Sequence, residues 1–238
     1  MRALPGQEAV QQVACQALEN LARNNAGMRV EVAAAGGLVA IVAAMRAHKM
    51  SAGVQEQACR ALRNLTANDD NQVGVAAAGG IEALLASMAA HKASAGVQEY
   101  ACRALRNLTI NADNQVGVAA AGGIEAVLSS MTAHTPSAGV QEQACGALRN
   151  LSANPANRDA ISAAGGIEAL ASAMDTHQAH ALLQQYACLA LNNLAINASL
   201  RGRIKAAGGV ELAKRAVSAS DATAKTKDYG KRLLDKLA

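Results

Sequence analysis

The 238-residue chain contains no Trp and no Phe, and only three Tyr and three Pro. Without large aromatic anchors, a core must be assembled from many small and regular contacts. The scarcity of Pro excludes collagen and Pro-rich linkers. Long hydrophobic runs are missing as well. The longest, Val32 to Met45, has fourteen residues and is interrupted by Gly36 and Gly37, whereas a helix needs roughly 20 to span a bilayer. No membrane association is therefore expected. The N-terminal residues Pro5, Gln7 and Glu8 precede no apolar signal segment, so a cytoplasmic or nuclear location is expected. Charge is sparse too, at 17% of residues against 51% hydrophobic, which is too apolar for disorder. What is abundant is Ala, with 59 residues, alongside 20 Gly. Small residues at this density suit close-packed helices joined by short turns, and the expected class is all-α.

The chain repeats itself. Gly-Gly pairs begin at Gly36, Gly79, Gly122, Gly165 and Gly208, each 43 residues after the last, and Cys15, Cys59, Cys102, Cys145 and Cys188 follow nearly the same spacing. A unit of this length indicates stacked helical repeats, each of which buries its apolar faces only against its neighbours. Within one unit, three helices are expected. A short helix ends at Gly79 and Gly80, because glycine closes a helix through a left-handed turn at little steric cost. A second carries Ile81, Leu84, Leu85 and Met88 on one face and ends near His91. A third starts from the N-cap Ser94 and buries Val97, Ala101, Ala104, Leu105 and Leu108. Its opposite face is the polar stripe Glu99, Arg103, Arg106 and Asn107. The chain divides into a partial repeat at 1–25, full repeats at 26–69, 70–112, 113–155 and 156–198, and a divergent last repeat at 199–238, all in a single domain. The last repeat is expected to cap the array and to cover Leu182, Leu191 and Leu194. The first lacks two helices, so a segment of a longer array is expected.

Several kinds of chemistry can be weighed against this repetition. Like positions of packed helices lie about 8–10 Å apart, beyond the reach of a disulfide, so the five Cys are expected to be buried packing residues. The same spacing stops His48, His91, His134 and His177 from sharing a metal ion, and they are expected to sit near helix C-termini. Glu82, Glu125, Glu168 and Glu211 follow the Gly pairs and would repel a phosphate there. Neither a phosphate-binding loop motif nor a Ser, His and Asp set is present, so no enzyme, cofactor, metal or small-molecule substrate is expected.

The polar stripe remains. Asn20, Asn64, Asn107, Asn150 and Asn193 place one amide in each repeat, and an amide can pair with a peptide backbone of any sequence. The alternative is an Asn that bridges to the neighbouring repeat. Arg60, Arg63, Arg103, Arg106 and Arg149 lie along the middle of the same surface, with Glu56, Glu99 and Glu142. Glu56 to Arg60 and Glu99 to Arg103 have the favourable i, i+4 order, so part of the Arg charge is expected to be neutralised locally. Tyr100 and Tyr186 alternate with Gln57 and Gln143 one position after Glu99 and its equivalents. Basicity concentrates at the end: residues 1–198 carry 12 basic and 14 acidic side chains, residues 199–238 carry 10 and 4.

The order of short helix, AAAGGIEALL, loop and a long helix bearing ALRNL resembles the armadillo repeat over nearly the whole chain. That resemblance implies a right-handed armadillo solenoid of three-helix repeats. It also implies a concave groove in which the Asn ladder holds an extended peptide. Four residues before the ladder Asn, armadillo importins carry a Trp that packs on basic import signals. Here the positions are Gln16, Arg60, Arg103, Gly146 and Leu189, so the implied ligand is an acidic segment of a protein or peptide partner. Two rival readings are a structural array within a larger assembly, and a nucleic-acid or polyanion binder using the Arg groove and the basic last repeat.

Overall fold

A computed structural model describes residue 1 and residues 3–238. The described residues form sixteen α-helices and one 3-10 turn, with no strand. They gather into two compact units, Met1–Ala126 and Val127–Ala238. Unit one begins with α1 (Glu8–Ala22). Two complete triplets follow: α2 (Ala26–Ala34), α3 (Gly37–Ala47) and α4 (Ala52–Leu65), then α5 (Asp69–Ala77), α6 (Gly80–Ala90) and α7 (Ala95–Leu108). It continues with α8 (Ala112–Ala120) and ends inside α9 (Gly123–Ala133). Unit two holds α10 (Ala138–Leu151), the triplet α11 (Pro155–Ala163), α12 (Gly166–Thr176) and α13 (Ala181–Leu194), and a last group. That group is a 3-10 turn at Ala198–Leu200, α14 (Arg201–Ala206), α15 (Gly209–Ser218) and α16 (Ala224–Leu237). In unit one the third helices α1, α4 and α7 pack in sequence, and in unit two α10, α13 and α16 do the same.

Each joint has a local cause. Gly79 sits at φ 76°, the left-handed region that L side chains avoid. Gly80 has a different job: a Cβ there would lie 2.4 Å from Val75 Cγ1 and 2.8 Å from the Val75 carbonyl. The first glycine turns the chain and the second lets two helices touch. Ser51, Ser94 and Ser137 cap the third helices, each Oγ accepting from the backbone N–H three residues on at 3.2–3.4 Å, worth about 1 kcal/mol each. His180 takes this place before α13, its Nδ1 accepting from the Leu183 N–H.

The cores are built from the expected positions. Val97, Ala101, Ala104, Leu105 and Leu108 are fully buried, as are their counterparts Val140, Ala144, Ala147, Leu148 and Leu151. Leu182 is a correction. It is 44% exposed, and the residue that α13 turns inward there is its neighbour Leu183. Leu191 and Leu194 are buried as expected. At the other end Leu21 is 47% exposed, whereas its counterparts Leu65, Leu108, Leu151 and Leu194 are fully buried. No single helix among the described residues is long and apolar enough to cross a membrane, and α2–α3 and α5–α6 are bent by 70° and 75° at their joints.

Candidate functional site

The polar stripe is displayed by the third helices, whose buried opposite face fixes its direction. In unit one the ladder residues look inward as well as outward. Asn64 Nδ2 donates to the Glu19 carbonyl and to Glu19 Oε1, both at 3.1 Å. Asn107 Nδ2 donates to the Arg63 carbonyl at 3.0 Å and to Thr66 Oγ1 at 3.3 Å. In unit two Asn193 Nδ2 donates to the Arg149 carbonyl and to Ser152 Oγ, both at 3.3 Å. The amide of each of these residues thus reaches back to a carbonyl near the end of the preceding third helix. Asn150 is buried, whereas Asn20 is exposed and accepts from Arg23. In the last repeat Lys236 occupies the ladder position and donates from Nζ to Asn192 Oδ1 at 2.5 Å. Burial, with Arg232 and Arg201 nearby, lowers its pKa.

The arginines of unit one converge on an aromatic ring. Arg60 Cζ lies 4.8 Å and Arg63 Cζ 5.6 Å from the centroid of Tyr100, distances at which a guanidinium is attracted to the ring face. Arg63 Nε and Nη2 also donate to Asn64 Oδ1 at 3.0 and 2.7 Å. Burial, and next the charge of Arg103, lowers the Arg63 pKa from its ordinary value. Arg103 and Arg106 are half-buried on the same stripe.

The expected neutralisation by Glu56 and Glu99 does not occur. Neither Glu56–Arg60 nor Glu99–Arg103 is among the ion pairs of the described residues. Glu56 instead crosses to the first turn of α7, where a Cβ on Gly96 would lie 2.7 Å from Glu56 Oε2. A helix N-terminus attracts a carboxylate, and the bare Gly96 leaves room for it. The buried acid on this face is Glu19. Burial opposes its charge, but hydrogen bonds and charge from Arg23, supported by Asn64 and Arg60, hold its carboxyl below the usual range.

Unit two carries less charge on the same stripe. Arg149 Cζ lies 5.4 Å from the Tyr186 centroid. Gly146 and Leu189 fill the places of Arg60 and Arg103, and Glu142 lies 3.5 Å from His180 Nε2. Four of the ten basic side chains of the last repeat are ion-paired. Arg203 binds Glu168, Arg215 binds Asp175, Lys214 binds Glu211 and Arg232 binds Asp228, all at 2.8–2.9 Å.

The remaining candidates are structural. All five Cys are free and buried, and burial pushes the thiols of Cys15, Cys59 and Cys188 up to about 12. His48, His91 and His177 cap the second helices, and Nε2 of each meets the carbonyl of Pro5, Lys49 or Thr135 at 2.7–2.8 Å. No group of three or more His, Cys, Asp or Glu among the described residues is placed to hold a metal ion.

Two structural series escaped the sequence reading. Gln55, Gln98, Gln141 and Gln184 each donate to two carbonyls at the end of the preceding second helix. Asn71 and Asn114 bridge first helices through the carbonyls of Arg29 and Gln72. Their regular recurrence, in [VL]Q[EQ] and in the residue three after each N-cap Asn, was the available signal.

A family model described as LRRK2 ARM repeat matches residues 3–121, and one described as Armadillo/beta-catenin-like repeat matches residues 112–153. No curated protein matches the chain. Among solved structures, an engineered protein aligns with a TM-score of 0.82 at 27% identity, over 97% of this chain and 91% of its own. A designed armadillo repeat protein gives a TM-score of 0.82 at 21% identity over 99% and 100% of the two chains. A chain from a study of the phosphorylation switch controlling the interaction between cadherin and beta-catenin gives 0.83 at 17%, over 97% of this chain and 45% of its own. The last two likenesses concern the fold alone.

Proposed function

The chain belongs to the armadillo-repeat family, and from that membership we propose a non-catalytic scaffold that binds a protein partner through an extended, acidic segment laid along the third helices. The observation that carries this reading is in unit one, where Arg60 and Arg63 lie on Tyr100 beside Arg103, while Glu56 is turned away to α7. Such a surface favours a negatively charged ligand both in encounter and in selection. Arg149 on Tyr186 is a weaker instance of the same chemistry within unit two. The bond pattern of the ladder supports a division of work in which Asn64, Asn107 and Asn193 hold neighbouring repeats in register while the side chains around Tyr100 select the ligand. We further propose a cytoplasmic or nuclear setting, supported by the five buried free thiols.

The test is a titration of fluorescein-labelled (Glu-Ser)6 and (Lys-Ser)6 peptides, with a single-stranded oligonucleotide as the polyanion control. The acidic peptide should bind best. Replacing Arg103 and Arg106 by Glu should reverse the preference, because like charges across an interface cost several kcal/mol. Tightest binding of the basic peptide would sink the reading, and tightest binding of the oligonucleotide would replace it with a polyanion binder.

A further inference from the structure

Helix α4 carries two polar atoms with nothing to bond. Gln57 Oε1 and Arg60 Nε are both shut off from solvent, and neither has a hydrogen-bond partner among the described residues. An acceptor and a donor left in this state weaken the free protein, since each has given up water without replacement. They stand at i and i+3, so they occupy one face of the helix. Nearby groups do not relieve them: the Arg60 guanidinium lies against Tyr100, and Glu56 has crossed to Gly96. Arg63 differs, because its Nε and Nη2 are both spent on Asn64 Oδ1. Arg63 is a positioning residue, whereas Arg60 retains an unused fork.

An acceptor beside a cationic donor is complementary to one residue of an extended acidic peptide. Its backbone N–H suits Gln57 Oε1, and its carboxylate suits the two-point Nε and Nη edge of a guanidinium. We propose that Gln57 and Arg60 form the couplet that sets ligand register on unit one, with Arg60 turning off the Tyr100 ring to grip the carboxylate. The inference rests on the acidic-segment reading above and names the residues that perform it. Unit two lacks the couplet. Gln143 repeats the orphaned acceptor, its Oε1 also without a partner, but Gly146 stands where the donor would be.

The experiment compares wild type with Arg60→Lys and Gln57→Met, titrated with (Glu-Ser)6 and its uncharged analogue (Gln-Ser)6. Arg60→Lys keeps the charge and removes the fork, and it should weaken (Glu-Ser)6 about tenfold. Gln57→Met keeps the shape and removes the acceptor, and it should weaken both peptides by a smaller factor. Gln57→Met should melt at or above the wild-type temperature, because it deletes a buried acceptor that lacks a partner. In a Tyr186→Phe, Tyr229→Phe background Tyr100 is the sole tyrosine, and the chain has no Trp to mask it. Its near-UV signal should change on adding (Glu-Ser)6 and stay constant in Arg60→Lys. Equal binding by wild type and Arg60→Lys, or a lowered melting temperature in Gln57→Met, overturns the couplet while leaving the scaffold reading intact. Failure of wild type to bind (Glu-Ser)6 removes both.

Discussion

The two units share one architecture and differ in what their third helices display. In unit one, Arg60, Arg63, Arg103 and Arg106 accompany Tyr100; in unit two, Gly146, Arg149 and Leu189 accompany Tyr186, and Glu142 is engaged with His180. Inward positions scarcely vary: Leu105 and Leu148 are both fully buried, and Ser94 and Ser137 make the same cap. A face that must pack has little choice of residue, and a face that meets solvent can be rewritten at little cost to stability. The contrast between units is confined to the face that meets solvent.

If the cores are truly alike, Leu105→Ala and Leu148→Ala should each cost about 2–5 kcal/mol, and the two costs should agree within about 1 kcal/mol. Urea unfolding of both variants checks this, and a large inequality would show that the units are not equivalent inside. A smaller effect separates ladder from ligand. Asn107→Ala and Asn193→Ala each remove two donations to the preceding repeat, at a cost of about 1–3 kcal/mol, while binding of (Glu-Ser)6 should change little. Loss of peptide binding in folded Asn107→Ala protein would return the ladder amides to the ligand.

The smallest expected effect concerns acid. Glu19 has a folded pKa below its unfolded one, so its contribution is complete above the unfolded carboxylate range, about pH 4.3, and disappears as pH falls through the lower folded value. Glu19→Gln should thus be less stable than wild type by about 1 kcal/mol at pH 7, with the difference closing below about pH 4. Unit two has Arg149 and Asn192 at the corresponding positions, neither of which is a carboxylic acid. Urea midpoints measured across this pH range should assign the loss to unit one; a difference that persists at the lowest pH would show that the Glu19 charge is not its source.

Much of the fold was legible because its causes are local. The turn at Gly79, the cap at Ser94 and the apolar face from Val97 to Leu108 each depend on residues a few positions apart. The site was legible in its membership and much less so in its bonding. Glu56 lay four residues before Arg60, which suggested an ion pair, yet its destination is Gly96, forty residues away. Likewise Asn107 promised an open amide, and that amide is taken by Arg63 and Thr66 of the preceding repeat. Helical spacing describes what one helix offers. Where an offered group is used depends on the neighbouring repeat, which spacing within a helix does not describe.

The histidine at the end of α6 has a consequence for enzymes that cut the chain. Lys49 precedes Met50, which is 80% exposed at a loop tip, and by composition the Lys49–Met50 bond invites trypsin. A protease must seat the scissile carbonyl in its own oxyanion hole, but the Lys49 carbonyl is already held by His91 Nε2 at 2.8 Å. The attacked bond is thus tethered to His91, 42 residues downstream, and cleavage has to wait for that tether to open.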